Sequence, residues 1–251
     1  MVWLEFVGPA GVGKTYFFGK LMQKFPTLHP DRVLADRILA SGDVRNFSFK
    51  GRIGARIRQL GIKNVLLDRM VIAAARRRFN FVYTQAERDL ADAFFRGLPQ
   101  YDSDAIARLR LSAFYLEKME QHKLMAHYLG PKDLFLSEDG LIHLNFGLEA
   151  TNGGLLPQAV ILLDADDNYI LKNRLGRQNS QQANRNEQLK TAEELEAYVL
   201  SYNRAYRNKA AFLKQTGIRI YEINVQEADA VDQLASIISD WAQIKNITNE
   251  Y

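Results

Sequence analysis

The chain opens on Val2–Val7 (VWLEFV), six residues that are apolar except for one acid, Glu5. A short run rich in aromatic and β-branched residues predicts a buried strand. Gly8–Thr15 (GPAGVGKT) follows as a glycine-rich turn. Phe17, Leu21 and Phe25 then recur at i, i+4 and i+8, the spacing of one helical face. The first 25 residues therefore predict strand, loop, helix. Pro26 and Pro30 break the chain after that helix, and Arg32–Leu39 (RVLADRIL) suits either a second strand or a helix start. Residues 46–63 carry Gly51, Gly54 and Gly61 and predict irregular or partly helical chain. Helices are expected over 64–80, 85–96 and 104–128. Pro99 separates the last two, and Gly130-Pro131 ends the third.

Beyond them, DLFLS at 133–137 predicts a short strand, and a helix is expected through 141–148. Gly153-Gly154 and Pro157 make a loop before AVILLD at 159–164, the clearest strand in the chain. A helix at 168–176 leads into a polar, Gln/Asn-rich loop at 177–187. Thr191 and Glu194 stand as a capping box at the head of a long helix to residue 216. A strand at 218–225 and a helix at 229–245 close the chain. Short apolar strands alternating with helices predict an α/β fold, with a parallel sheet of about five strands covered on both faces. The chain reads as one domain over residues 1–251, with a helical insert at about 64–129.

Composition narrows the chemistry. At 47% hydrophobic and 25% charged residues, the chain is not globally disordered. With no Cys it has no disulfide, thiolate zinc site, iron–sulfur cluster or cysteine nucleophile. No uncharged apolar run reaches the roughly 20 residues needed to cross a bilayer. Glu5 and Gly8 interrupt the first apolar stretch too early for a signal peptide, so a cytoplasmic protein is expected. The net charge of +4 decides little, but ten Lys/Arg and a single acid, Asp68, fall between Arg45 and Arg78. That basic stretch suits solvated helix faces, an anionic acceptor, a nucleic-acid end or an anionic membrane surface.

Gly8-Pro9-Ala10-Gly11-Val12-Gly13-Lys14-Thr15 fits the Walker A pattern G-x-x-x-x-G-K-[ST] in full. Glycines let several backbone N–H groups converge on one phosphate, and the following helix points its positive end at the same anion. Lys14 would reach the β- and γ-phosphates, and Thr15 would give its hydroxyl to Mg²⁺. The motif lies between a predicted strand and a predicted helix, as a nucleoside triphosphate site requires. The fold expected is therefore a P-loop nucleoside triphosphate hydrolase fold with a helical insert. An N-K-x-D motif and a D-x-x-G element, the marks of a GTPase, are absent, and Glu138-Asp139 reverses the acid order expected of motor ATPases.

Four features in order carry a resemblance: the loop Gly8–Thr15, the strand ending in Ser137-Glu138-Asp139-Gly140, the strand Val160–Asp164 followed by Arg174 and Arg177, and the late strand Ile218–Val225 with its helix. Together they resemble the P-loop kinases of small molecules, the thymidylate-kinase-like and deoxynucleoside-kinase-like group. The resemblance spans almost the whole chain, and its specific part is the loop. It implies an Arg-containing lid over about 174–187 and transfer of the γ-phosphoryl group of ATP, with Mg²⁺, to a hydroxyl or phosphate acceptor, foremost a nucleoside or nucleotide. The chain departs from that group in having no Arg beside Glu138-Asp139 and no clear acid ending a second strand.

Within that reading Glu138 and Asp139, at the carboxyl end of a strand, are candidates for base and metal ligand, and Asp36 for a base at the end of a second strand. Arg174 and Arg177, one helical turn apart, would clamp phosphate charge, with Arg185 a further lid candidate. The four His lack metal-ligand spacing and read as structural, although His143 lies near enough to Glu138 to line the site. Two rival readings are an ATPase or nucleotide-binding regulator without an acceptor, and a nucleic-acid-end kinase that uses residues 45–78.

Overall fold

A computed structural model describes residues 1–62, 64–101, 105–145, 155–179 and 191–247. Four strands, β1 (Val2–Val7), β2 (Leu134–Ser137), β3 (Ala159–Asp164) and β4 (Arg219–Asn224), form one all-parallel sheet in the order β2-β1-β3-β4. Strand β1 lies inside, with Leu4 opposite Leu136 on one side and Ala159 on the other. Alternation along the strands supplies two cores. Trp3, Val7, Phe135 and Val160 pack on one face. Leu4, Phe6, Leu136, Ile161 and Leu163 pack on the other. The fold is thus α/β with four strands among the described residues.

Among the described residues six α-helices separate β1 from β2: α1 (Lys14–Lys24), α2 (Pro30–Ser41), α3 (Phe49–Gln59), α4 (Val65–Arg76), α5 (Gln85–Tyr101) and α6 (Ala105–Tyr128). The helical region therefore starts well before residue 64. Arg32–Leu39, which admitted a second strand, lies inside α2. Pro30 stands in its first turn, where a missing N–H costs nothing, and Gly42 ends it at φ 82°.

Residues 49–59 are helical in spite of their glycines, and the reason is packing. A Cβ on Gly51 would lie 2.6 Å from the Ala74 Cβ, and one on Gly54 would lie 3.3 Å from the Met70 Cε. The glycines let α3 approach α4 closely, and this gain outweighs their poor helix propensity. Helix α5 runs on past Pro99 to Tyr101 rather than ending before it. The expected start of α6 at Asp104 lies outside the described residues.

After β2 a single turn, α7 (Leu141–Leu144), replaces the longer helix expected there, whose last residues lie outside the described ones. Helices α8 (Asp167–Asn179), α9 (Ala192–Gln215) and α10 (Ala230–Ile247) complete the chain. The Thr191–Glu194 capping box forms as its spacing predicts. The rest of the expected lid, with Arg185, lies outside the described residues. Among the described residues no helix is long and apolar enough to cross a membrane.

One buried ion pair fixes α3 on α4. Arg58 is buried, and its Nε donates to Asp68 Oδ1 at 2.6 Å. Its Nη2 donates to Asp36 Oδ1 at 2.8 Å. Asp68→Ala takes the buried acceptor from Arg58 Nε and leaves the guanidinium only the half-exposed Asp36, so it should cost about 3 kcal/mol of stability, read as a fall in the denaturant midpoint. Adding Arg58→Met should recover part of that loss.

Candidate functional site

The chain leaves β1 for β2 on one side, whereas β3 leads to β4 on the other. The crevice at the carboxyl ends of β1 and β3 is where ligands of open α/β sheets bind. The glycine-rich loop fills it. A Cβ on Gly8 would lie 2.5 Å from the Leu163 carbonyl oxygen, so only glycine can pass between the two strand ends. Gly11 and Gly13 hold φ of 98° and 99°. Gly13 is the N-cap of α1 and offers no side-chain acceptor, so the first-turn N–H groups of α1 remain uncapped by any side chain.

The loop turns several carbonyls inward, and three side chains from two helices satisfy them. Lys14 Nζ donates back to Gly8 O at 3.0 Å and lies 3.9 Å from Asp139 Oδ1. Burial lowers the Lys14 pKa to about 8 against the pull of Asp139 and Glu138, with Arg174 and Arg177 lowering it further. From α8, Asn173 Nδ2 donates to Gly11 O at 3.0 Å, and Arg174 Nε donates to Ala10 O at 2.9 Å. The Arg174 guanidinium lies against the rings of Tyr198 and Tyr202 on α9.

The two arginines expected to act together thus part company. Arg174 is buried behind the loop and braces it, whereas Arg177 lines an open cavity of about 530 Å³ beside Gly11, Gly13, Tyr16 and Tyr169. A second cavity, about 680 Å³, opens on the other side of α1. Thr15 and Glu138 stand among its lining residues. Phe18, Phe114 and Phe135 give it an apolar wall. Arg69 lines it while paired with Asp31, and Arg76 while paired with Glu117.

Asp36 belongs to neither cavity. It sits on a helix, is half exposed and pairs with Arg58, so its candidacy as a strand-end base is withdrawn. Glu138 and Asp139 do follow a strand end, beside the loop. Asp139 faces Lys14 and His143, whose Nε2 lies 3.3 Å from Asp139 Oδ1.

A buried polar network supports Asp139, and most of it was not foreseen. The Tyr206 hydroxyl lies 3.1 Å from His143 Nε2. Glu5 accepts a hydrogen bond from the His143 backbone N–H at one end of α7. Lys209 donates to the Ile142 and His143 carbonyls at 2.9 and 2.6 Å. Burial raises the Glu5 pKa to about 8, lowers that of Lys209 to about 7 and holds His143 neutral. Gly140 lets the β2–α7 turn close over Glu5, since a Cβ there would lie 2.3 Å from the carboxyl oxygen. One signal pointed to this network: Glu5 is a lone charge within an otherwise apolar strand.

Among the described residues no three His, Asp or Glu are grouped to hold a metal by themselves. Magnesium carried in by a polyphosphate needs only one or two protein oxygens. The exposed Thr15 hydroxyl, with Glu138 and Asp139 nearby, is a donor set of that kind. No family model matches the chain, and no curated protein matches it.

The network sets a pH dependence. The native Glu5 carboxyl keeps its proton up to about pH 8, and the unfolded chain releases it near 4.5. Between those values the native state binds more protons, so this group lowers stability as pH rises. Glu5→Gln cannot titrate and still offers an oxygen to the His143 N–H. Its unfolding free energy should therefore gain on that of the wild type from pH 4.5 to about 8 in urea titrations.

Proposed function

We propose that the chain is a P-loop kinase that transfers the γ-phosphoryl group of ATP to a hydroxyl or phosphate on a small acceptor, foremost a nucleoside or nucleotide. The observation that carries this reading is the complete G-x-x-x-x-G-K-T loop, left-handed at Gly11 and Gly13, with an open cavity on either side. An ATPase needs one nucleotide cavity. A kinase needs a second one, sharing the phosphate end. Thr15 and Glu138 give the larger cavity that shared end.

The residues take roles that follow from their positions. Backbone N–H groups of the loop and the α1 N-terminus receive the β- and γ-phosphates. Lys14 exchanges the Gly8 carbonyl for phosphate oxygens. Thr15 would hold Mg²⁺, which would supply charge neutralisation to the phosphates. Arg177, with Tyr16 and Tyr169, lines the nucleotide side. Arg174 and Asn173 hold the loop in shape, so Arg174 is a positioning residue. Glu138 faces the acceptor cavity and accepts the proton of the acceptor hydroxyl as its oxygen bonds to the γ-phosphorus. The bond to the β-phosphate oxygen breaks, and ADP leaves. Asp139, already engaged by Lys14 and His143, orients the lysine. The apolar wall of the larger cavity, interrupted by Arg69, Arg76 and Gln121, suits a flat acceptor with polar edges. Working on ATP without any cysteine, the enzyme fits the cytoplasm.

The test is mass-spectrometric detection of phosphate transfer from Mg·ATP to pooled nucleosides, nucleoside monophosphates, sugars and oligonucleotide ends. A product heavier by one phosphate is expected from the wild type. Lys14→Ala should lower kcat/KM by about 10³-fold or more with an unchanged circular dichroism spectrum. Glu138→Gln should lower kcat by about 10²- to 10⁴-fold with little change in the KM for ATP. ADP formation without any phosphorylated product would overturn the kinase reading in favour of an ATPase.

The Lys14 environment yields a second test. An incoming phosphate stabilises the ammonium form, so nucleotide binding draws in a proton above pH 8 or so. Affinity for Mg·ATP should fall as pH rises through that value, and Lys14→Met should abolish the dependence. Calorimetry in buffers of different ionisation enthalpy reads this proton uptake directly.

A further inference from the structure

Helix α3 is inverted relative to an ordinary packed helix. Its buried positions are Gly51, Gly54, Ala55 and the ion-paired Arg58. Of its large apolar residues Phe49 and Ile53 point to solvent and Ile57 is half-buried, and Leu60, which ends the helix, is exposed as well. Phe49 is 71% exposed, Ile53 41% and Leu60 81%. Phe49, Ile53, Arg56 and Leu60 are spaced i, i+4, i+7 and i+11, one stripe along the helix. Ile62 and Leu66, exposed in the turn and at the start of α4, continue the apolar surface. Three exposed cations, Lys50, Arg52 and Arg56, accompany the stripe, and α3 carries no acid. Among the described residues none of the three makes an ion pair. Other basic residues of the 45–78 stretch are already engaged: Arg58, Arg69 and Arg76 pair with carboxylates of neighbouring helices.

We propose that this face of α3, with the turn that follows it, docks on an anionic lipid bilayer. Large apolar residues exposed beside unpaired cations are what an interfacial helix needs. The apolar stripe enters the acyl boundary, and the cations meet anionic headgroups. The alternatives fit the same residues less well. Single-stranded nucleic acid gains most from aromatic stacking platforms, and the exposed apolar surface has one aromatic residue, Phe49, beside four aliphatic ones, Ile53, Leu60, Ile62 and Leu66. A second copy joined about a two-fold axis would set the three cations against their own counterparts. The inverted packing explains why α3 can present this face. Glycines hold it flat on α4, and the Arg58–Asp68 pair fixes its rotation, so no large side chain is needed inward. This inference does not rest on the kinase reading, because none of its residues lines either cavity.

The test is co-sedimentation of the full chain with phosphatidylcholine vesicles, with and without phosphatidylglycerol. Binding only to the phosphatidylglycerol vesicles is expected, weakening with added salt. Phe49→Ser/Ile53→Ser/Leu60→Ser and Arg52→Glu/Arg56→Glu should each weaken it by about tenfold or more. Both variants change only exposed side chains, and an unchanged thermal midpoint checks that they fold. No binding to the anionic vesicles overturns the proposal. So does binding that the serine variant leaves intact, because that is surface adsorption by charge alone. Tighter binding to a single-stranded oligonucleotide, or a dimer in gel filtration that the serine variant dissolves, assigns the face to another occupant and overturns it too.

Discussion

A carboxyl buried in the central strand sets the geometry of everything above it. Glu5 lies on the face of β1 shared by Trp3 and Val7, where a charge is costly. Burial raises its pKa, which limits the cost, and it has a task there: it accepts the His143 N–H and so caps the single turn that follows β2. A helix of one turn cannot hold itself together. Glu5 secures one end, and Lys209, reaching in from α9, secures the carbonyls at the other. With α7 fixed, His143 is fixed, and the Asp139 Oδ1 that faces Lys14 has a second, closer partner in His143 Nε2. Three elements distant in sequence thus converge on the conformation of one acidic turn.

The glycine-rich loop is the second beneficiary of such bracing. A loop that points N–H groups at a ligand must point carbonyls the other way, and buried carbonyls need donors. Lys14 takes Gly8, Asn173 takes Gly11 and Arg174 takes Ala10. Two of the three donors lie on α8, so the loop's shape depends on the seating of that helix. Arg174 is held in turn by Tyr198 and Tyr202 of α9, the helix that also supplies Tyr206 and Lys209. Helix α9 therefore joins the loop to the acidic turn without contributing a residue to either cavity wall described above.

The strands and the loop were legible because both signals are local. VWLEFV, DLFLS and AVILLD are short apolar runs bounded by glycine, acid or proline, and the loop motif lies where a strand–helix junction requires it. The Thr191–Glu194 box was legible for the same reason, since its two hydrogen bonds span three residues. Where packing overrides local preference, the sequence misleads. Gly51 and Gly54 look like breakers and are contact points. Asp36 looks like a strand-end acid and belongs to a helix whose partner, Arg58, lies 22 residues on. The spacing of Arg174 and Arg177 suggests one shared task, yet a difference in burial gives them two. The His143–Tyr206 contact spans 63 residues, and no pattern within a single helix reports it.

The state of Lys14 joins the fold to the chemistry proposed for it. An ammonium in water is fully solvated and gains little from a new anionic neighbour, because that neighbour must displace water. Lys14 has already been taken out of water. Its burial cost appears as a depressed pKa, and its hydrogen bonds go to neutral carbonyls of the loop. Among the described residues the one carboxylate within ion-pair reach, Asp139, stays 3.9 Å away and is shared with His143. A charge so placed has lost its solvent without gaining a close counter-ion, so it gains more from a phosphate oxygen than an exposed lysine would. The folding energy spent on holding Lys14 under the loop is then returned when an anion arrives, as expected of an electrostatically preorganised site.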